Sequence, residues 1–241
     1  MDYPNTLMGL SGPILKKETL ELPRLENANM KDVAEMETKM KTGTTTVALI
    51  CKDAVVLAAD RKATMGYLVA SKDAKKIVKL DEHVAMTIAG VVGDAQALER
   101  YFKAELKLYK LHEDRKMPIK AVASLAANIL YSRRFYPYFV QLIIAGYDSK
   151  PQIYTLAPDG SVIAEKYYSS GSGSPMVFGV LEHEFVDGMD LEAAKNLAVQ
   201  SVAAAVKRDI ASGGSGIDLA VIDKKGVHEF ADAEISKMLK N

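Results

Sequence analysis

Covalent chemistry has one obvious foothold in this sequence, the junction Lys41-Thr42-Gly43-Thr44-Thr45-Thr46-Val47. A segment ending in glycine is followed at once by a threonine that opens a β-branched apolar run. That arrangement suits cleavage between Gly43 and Thr44, which would leave Thr44 as an N-terminal nucleophile. A free hydroxyl is a weak nucleophile, but an N-terminal threonine carries its own amine, with a reference pKa of about 7.7–8.0, able to serve as base. A glycine turn opening a threonine-rich strand would give the same letters, and the junction alone does not choose between the two. Other chemistries lack their patterns. The histidines His83, His112, His183 and His228 are scattered with no HExxH or CxxC arrangement, so no metal site is expected. Gly171-Ser172-Gly173-Ser174-Pro175 has neither the flanking glycine of a nucleophile elbow nor the third glycine of a dinucleotide loop, and no phosphate-binding Gly-Lys-Ser/Thr occurs. No cofactor is expected.

The elements that would position Thr44 are legible from apolar patterning. Thr44 to Cys51 and Ala54 to Asp60 are β-branched apolar runs separated by Lys52-Asp53, which predicts a hairpin. Both runs are almost continuously apolar, so both faces of their sheet should be covered. Strands are predicted at Lys76 to Leu80 and His83 to Ala89. From Asp94 to His112 the period changes: Leu98, Tyr101, Phe102, Leu106 and Tyr109 fall at three- and four-residue steps, the mark of an amphipathic helix. A second helix runs from Ile119 to Arg133 behind Pro118. Strands return at Tyr138 to Ala145, Gln152 to Leu156 and Ser161 to Tyr168, with Pro158-Asp159-Gly160 as a turn. Helices follow at Pro175 to Glu184 and Leu191 to Ile210, the latter with small residues along one face at Ala194, Ala198 and Ala205. Strands at Ile217 to Ile222 and Val227 to Phe230 and a short helix from Ala233 complete the chain. Runs of strands alternating with helix pairs predict an α+β fold of two sheets packed face to face with helices outside.

The first 43 residues have a different texture. Pro4, Pro13 and Pro23 lie among polar and charged residues, and Asn29 to Lys41 could form a helix with only a thin apolar face at Met30, Val33 and Met36. They read as an appendage to a core beginning near Thr44. The whole chain of 241 residues is 49% hydrophobic and 26% charged, enough to bury a substantial core. Its 31 basic and 31 acidic residues cancel, so no global basic field exists to hold a phosphate backbone or an anionic membrane. No apolar stretch approaches a bilayer span, and Met1 to Lys17 lacks the basic leader and hydrophobic stretch of an export signal. Cys51, the single cysteine, reads as a small buried hydrophobe, which fits a reducing intracellular setting.

Six collinear motifs then point one way. Gly43-Thr44-Thr45-Thr46-Val47, Ala58-Ala59-Asp60-Arg61, Lys75-Lys76, Met86-Thr87-Ile88-Ala89-Gly90 with Gly93-Asp94-Ala95-Gln96, Gly171-Ser172-Gly173-Ser174-Pro175, and Arg208-Asp209 with Ser212-Gly213 resemble, in order and spacing, proteasome β subunits of the archaeal type. The resemblance runs from Thr44 almost to the C-terminus. It implies the four-layer αββα sandwich of the N-terminal nucleophile hydrolases, in agreement with the layers derived above. It also implies a propeptide, 1–43, removed by self-cleavage between Gly43 and Thr44, and a catalytic domain, 44–241. Carried over by residue, it makes Thr44 the nucleophile and Asp60 and Lys76 its acidic and basic partners, with Coulomb attraction holding Lys76 charged near the threonine oxygen. Ser172, Asp209 and Ser212 become the polar set around the N-terminal amine. Gly90 becomes the oxyanion N–H donor, its lack of a side chain letting substrate approach. Ala63, Ala74, Val78, Ile88 and Val92 line the substrate pocket; all are apolar, so cleavage after large hydrophobic residues is expected.

The implied setting is cytoplasmic. Partners would be α subunits and other β subunits in stacked seven-membered rings, an ATP-dependent unfoldase acting through the α rings, and unfolded protein substrates, with no nucleic acid or membrane. Two departures from the family pattern stand out: Gly214-Ser215-Gly216 follows Ser212-Gly213, leaving the 213–217 loop path open, and the leader is longer than many archaeal ones. Two other readings share parts of the pattern. A two-ring bacterial threonine peptidase would be shorter and lack the long leader, and a catalytically silent ring subunit would not need Thr44, Asp60 and Lys76 together.

Overall fold

The computed structural model describes residues 43–239, so the expected helix between Asn29 and Lys41 lies outside the described residues. A first sheet contains β1 (Thr46–Ile50), β2 (Val55–Asp60), β10 (Tyr167–Ser170), β11 (Ile217–Asp223) and β12 (Gly226–Glu229), in spatial order β10-β1-β2-β11-β12. A second contains β5 (Ile77–Asp81), β6 (Val84–Gly90), β7 (Val140–Tyr147), β8 (Pro151–Leu156) and β9 (Val162–Glu165), neighbours in chain order. The strands β3 (Ala63–Met65) and β4 (Leu68–Ser71) form a separate hairpin. The helices are α1 (Val92–Glu113), α2 (Ile119–Ser132), α3 (Ser174–Glu184), α4 (Leu191–Val206) and α5 (Asp232–Met238).

Period-two alternation in each strand divides its side chains between two cores. From β1 and β2, Val47, Leu49, Val56 and Ala58 point to one side and pack with Val177 and Leu181 of α3 and Ala194, Ala198 and Val202 of α4. Their alternates, Ala48, Val55, Leu57 and Ala59, meet Ile77, Ala85, Ile143, Ala145 and Ile153 of the second sheet. Beyond that sheet, Val84, Met86, Leu142 and Ile144 face Leu98, Phe102 and Leu106 of α1 and Ile119, Val122 and Leu130 of α2. The result is the expected four-layer αββα sandwich. Its inner strands are apolar on both faces because each face is buried by a different layer, and alanines in the middle let the sheets approach. Among the described residues no helix is long and apolar enough to cross a membrane.

Two expectations are corrected, and one element has no precedent among them. Ser161 to Tyr168 is not one strand: the chain breaks at Lys166, and Val162–Glu165 edges the second sheet while Tyr167–Ser170 edges the first. Local sequence carries strand propensity there but no Gly or Pro to mark the crossover, which is decided by pairing with Ile153–Leu156 on one side and Thr46–Leu49 on the other. The helix from Leu191 ends at Val206 instead of Ile210, and the freed residues turn back toward the first sheet. The β3–β4 hairpin has no counterpart in the sequence reading, because its apolar residues Met65, Tyr67 and Leu68 are exposed and leave no buried face to detect. Gly66, at φ 59°, makes its turn.

Candidate active site

Register brings the distant motifs together. In the antiparallel pair β1–β2, Thr46 stands opposite Ala59, so the strand ends place Asp60 beside Thr45, with Asp60 N donating to Thr45 O at 3.1 Å. In β5–β6, Ile77 pairs with Thr87, and Ile88 N donates to Lys76 O at 3.0 Å, which sets Lys76 next to the segment ending at Gly90. The sheets are tied across their interface at this level by Thr46 Oγ1 and Thr87 Oγ1, 3.0 Å apart.

Asp60 is the electrostatic centre. Its side chain is fully buried, and Oδ1 accepts from Lys76 Nζ at 2.6 Å and from Thr45 N at 2.8 Å. Oδ2 accepts from Lys62 N at 3.1 Å and Gly213 N at 2.8 Å. Four donors satisfy a charge that would otherwise be very costly to bury. Lys76 Nζ also donates to Lys62 O at 2.5 Å. Burial pushes the Lys76 ammonium below the usual lysine range, and the neighbouring Asp60 charge only partly restores it. Burial and the Asp60 charge thus act on Lys76 in opposite directions, and the 2.6 Å ion pair fixes where its ammonium points. The end of β2 is clamped from outside by Arg61, whose guanidinium bonds Asp218 at 2.8 Å and Asp232 at 2.6 Å.

A second polar chain runs on the other side of the threonine. Thr44 N donates to Ser172 Oγ at 3.2 Å, and Ser172 Oγ donates to Asp209 Oδ2 at 2.6 Å. Ser212 Oγ donates to the same oxygen at 2.6 Å and lies 2.6 Å from Thr45 Oγ1. The early end of α4 makes this possible, since Asp209 and Ser212 sit in the turn that follows it. The 213–217 loop wraps over residues 60–73. Gly213 O accepts from Arg61 N and Lys62 N at 2.9 Å, Ser215 N donates to Lys72 O at 2.7 Å, and Ser215 Oγ donates to Asp73 at 2.8 Å.

Glycine is required at two contacts around the threonine. Gly171 has φ 92°, and a Cβ there would collide with the Thr44 carbonyl oxygen; a Cβ on Gly43 would overlap that of Ala211. The Gly43 amide itself donates to the buried Thr64 Oγ1 at 2.7 Å. Gly90, at φ 123°, also has a packing reason for its type: a Cβ there would strike the Phe139 carbonyl just ahead of the neighbouring strand β7.

Thr44, Lys76 and Gly90 open into one cavity of about 470 Å³, and all five expected pocket residues, Ala63, Ala74, Val78, Ile88 and Val92, are in its wall. Lys76 and Val78 are buried at its inner side and Val92 is half exposed at the mouth. Sequence reasoning missed Thr45, which bonds both Asp60 and Ser212, and the Lys62 carbonyl, because backbone and neighbour contacts carry no motif. It also missed Gln96, Glu99 and Lys103 in the cavity wall. A signal for these was present: they share with Val92 the three- and four-residue steps of one helix face.

Comparison with known proteins follows this geometry. Residues 40–222 match a family model described as a proteasome subunit. The proteasome subunit β of Methanocaldococcus jannaschii is 50% identical over 200 residues, covering 82% of this chain and 89% of that protein. That of Methanocaldococcus vulcanius is 48% identical over 202 residues, covering 83% and 90%. That of Methanothermobacter thermautotrophicus is 45% identical over 200 residues, covering 83% and 95%.

Proposed function

Since the chain belongs to the proteasome subunit family and is similar throughout its core to archaeal β subunits, we propose that it is a catalytic β subunit of the 20S proteasome core, a threonine endopeptidase. The observation that carries the catalytic reading is the shared use of Asp60 Oδ1 by Lys76 Nζ and by the amide next to Thr44, which holds a buried ammonium at the wall of the cavity that Thr44 enters.

In the mature enzyme Thr44 Oγ attacks the scissile carbonyl as its proton passes to the Thr44 amine. The Gly90 N–H stabilises the oxyanion, and collapse breaks the C–N bond with the proton returned to the leaving amine. The ester left on Thr44 is hydrolysed by a water that the same amine deprotonates, releasing a carboxylic acid and regenerating the hydroxyl. Ser172 and Asp209, which accept from the Thr44 nitrogen and from Ser172 respectively, orient that amine. While Gly43 remains attached the nitrogen is an amide and no base, so the full-length chain is a zymogen. Its first reaction is attack of Thr44 Oγ on the Gly43 carbonyl, which breaks the Gly43–Thr44 C–N bond, frees the Thr44 amine and leaves residues 1–43 as an ester on Oγ; water then hydrolyses that ester, releasing the leader as a carboxylic acid and leaving the catalytic domain 44–241. The subunit assembles with α subunits and other β subunits in stacked seven-membered rings in the cytoplasm, fed with unfolded protein by an ATP-dependent unfoldase through the α rings.

Co-expression with an α subunit, followed by mass spectrometry and peptide assays, tests this reading. The expected N-terminus is Thr44, and the expected fastest substrates carry a large hydrophobic residue before the cleaved bond. A different processed start would overturn the nucleophile assignment, and fastest cleavage after basic residues would overturn the pocket assignment.

The Gly171 contact gives a separate prediction. Gly171→Ala forces the Thr44 backbone to move or the loop to adopt a strained φ. A displacement of about 1 Å at a reacting group can cost about a hundredfold in rate. We expect kcat for a hydrophobic peptide to fall by one to two orders of magnitude (roughly) with little change in KM. A variant with unchanged kcat would show that Gly171 does not position the nucleophile.

A further inference from the structure

One face of α1 continues the cavity beyond its apolar part. Val92, Ala95, Gln96, Glu99 and Lys103 stand at steps of three and four along the helix, and all line the cavity that holds Thr44. With a rise of 1.5 Å per residue, Glu99 lies about 10 Å and Lys103 about 16 Å further along the axis than Val92. The wall therefore changes character with distance: apolar at Val92 and Ala95, an uncharged amide at Gln96, then charge. Glu99 and Lys103 meet as an ion pair at 2.7 Å, with side chains 26% and 44% exposed. On the opposite wall Lys75 Nζ bonds both carboxylate oxygens of Glu229 at 2.8 Å. Lys79, exposed on β5, is the remaining charged lining residue besides Lys76.

We propose that Glu99 and Lys103 are specificity-determining residues that close the far end of the substrate pocket with a mutually neutralised, hydrogen-bonding wall. The pocket then favours a side chain with an apolar stem and an uncharged polar tip, such as tyrosine, over an apolar one of equal size, such as phenylalanine. The tip exchanges hydrogen bonds with the pair or with Gln96, whereas a purely apolar tip desolvates these groups without replacing their partners. A substrate carboxylate gains from Lys103 what it loses to Glu99, and a substrate ammonium the reverse, so the intact pair itself attracts neither charge. Removing one partner leaves the other uncompensated beside the substrate and should recruit the opposite charge. This proposal rests on Thr44 being the nucleophile and refines the hydrophobic preference stated above.

The test uses assembled, processed particles and four fluorogenic peptides that differ only in the residue before the cleaved bond: phenylalanine, tyrosine, lysine or glutamate. The parent protein should cleave the tyrosine peptide about threefold or more faster than the phenylalanine peptide in kcat/KM. Lys103→Met should raise kcat/KM for the lysine peptide about tenfold, and Glu99→Gln should do the same for the glutamate peptide. The double variant Glu99→Lys with Lys103→Glu rebuilds the pair with reversed polarity and should return the parent order. It also covers the case in which one single variant fails to assemble. An unchanged order of the four peptides in the variants overturns the proposal while leaving the function intact. Absence of any Thr44-dependent cleavage in the parent particle is a different result, overturning the nucleophile assignment and this proposal with it.

Discussion

In particles carrying Thr44→Ala, peptide hydrolysis falls to background and the chain keeps residues 1–43. The substitution deletes one oxygen and one methyl group from a residue whose fold contacts run through its backbone: its nitrogen donates to Ser172 and its carbonyl accepts from Gly173 N at 3.3 Å. Those bonds survive, so the sandwich and the Asp60 cluster should persist. Only the attacking atom is lost, and deletion of a nucleophile in enzymes of this general kind costs about a millionfold in kcat. Processing is lost for the same reason, because the same oxygen must attack the Gly43 carbonyl. Thr44→Ser keeps the oxygen and the amine and should process its own leader. Intact mass and a hydrophobic peptide assay on both variants decide the matter. A Thr44→Ala chain that began at residue 44 without added protease would mean that another group performs the cleavage.

Asp60→Asn has the second largest expected effect, and it acts on stability and catalysis together. The carboxylate is fully buried, accepts four hydrogen bonds and neutralises Lys76, itself 5% exposed. An asparagine of the same size must turn its NH₂ toward two donors, and it leaves the Lys76 charge without a partner. Breaking a buried pair from one side typically costs about 3–5 kcal/mol. Loss of the ordered ammonium, whose charge favours the deprotonated Thr44 oxygen, should lower kcat by roughly a thousandfold as well, the size of effect seen on removing one electrostatic stabiliser of developing negative charge. Pairing this change with Lys76→Met separates the two effects. Removing both charges should recover much of the stability lost by Asp60→Asn alone, because no unpaired charge remains, while activity stays low. Denaturant unfolding and peptide hydrolysis on the three variants provide the comparison. Asp60→Asn particles within threefold of the parent rate would rule out the assigned role of the pair.

How much of this was visible beforehand depended on whether the governing physics was local. The β1–β2 hairpin was legible because Val47 to Ile50 and Val55 to Ala59 carry apolar residues on both faces, and a turn at Lys52-Asp53 separates them. Helix α1 was legible because Leu98, Phe102 and Leu106 keep one face buried over several turns. The crossover at Lys166 was not, since Val162–Glu165 and Tyr167–Ser170 are equally strand-like and differ only in which distant strand accepts them. The hairpin around Gly66 was not, because its apolar residues Met65, Tyr67 and Leu68 are exposed and its buried residue, Thr64, is polar.

The site divides along the same line. Sequence alone determined that Thr44 follows a glycine at the edge of a core, that it could work from its own amine, and, by resemblance, which acid, lysine and serines belong with it. Tertiary structure decided what those groups are to one another. It decided that Asp60 is fully paired and not merely near a lysine, and that Lys76 is itself buried beside it. It set the Phe139 carbonyl where a Cβ on Gly90 would strike it, and it lined the cavity with Glu99 and Lys103 as well as with valine and alanine. The reason is that a residue's available chemistry is written in its own covalent structure. Its charge state, hydrogen-bond partners and access to substrate are set by neighbours that strand register and layer packing bring from far along the chain.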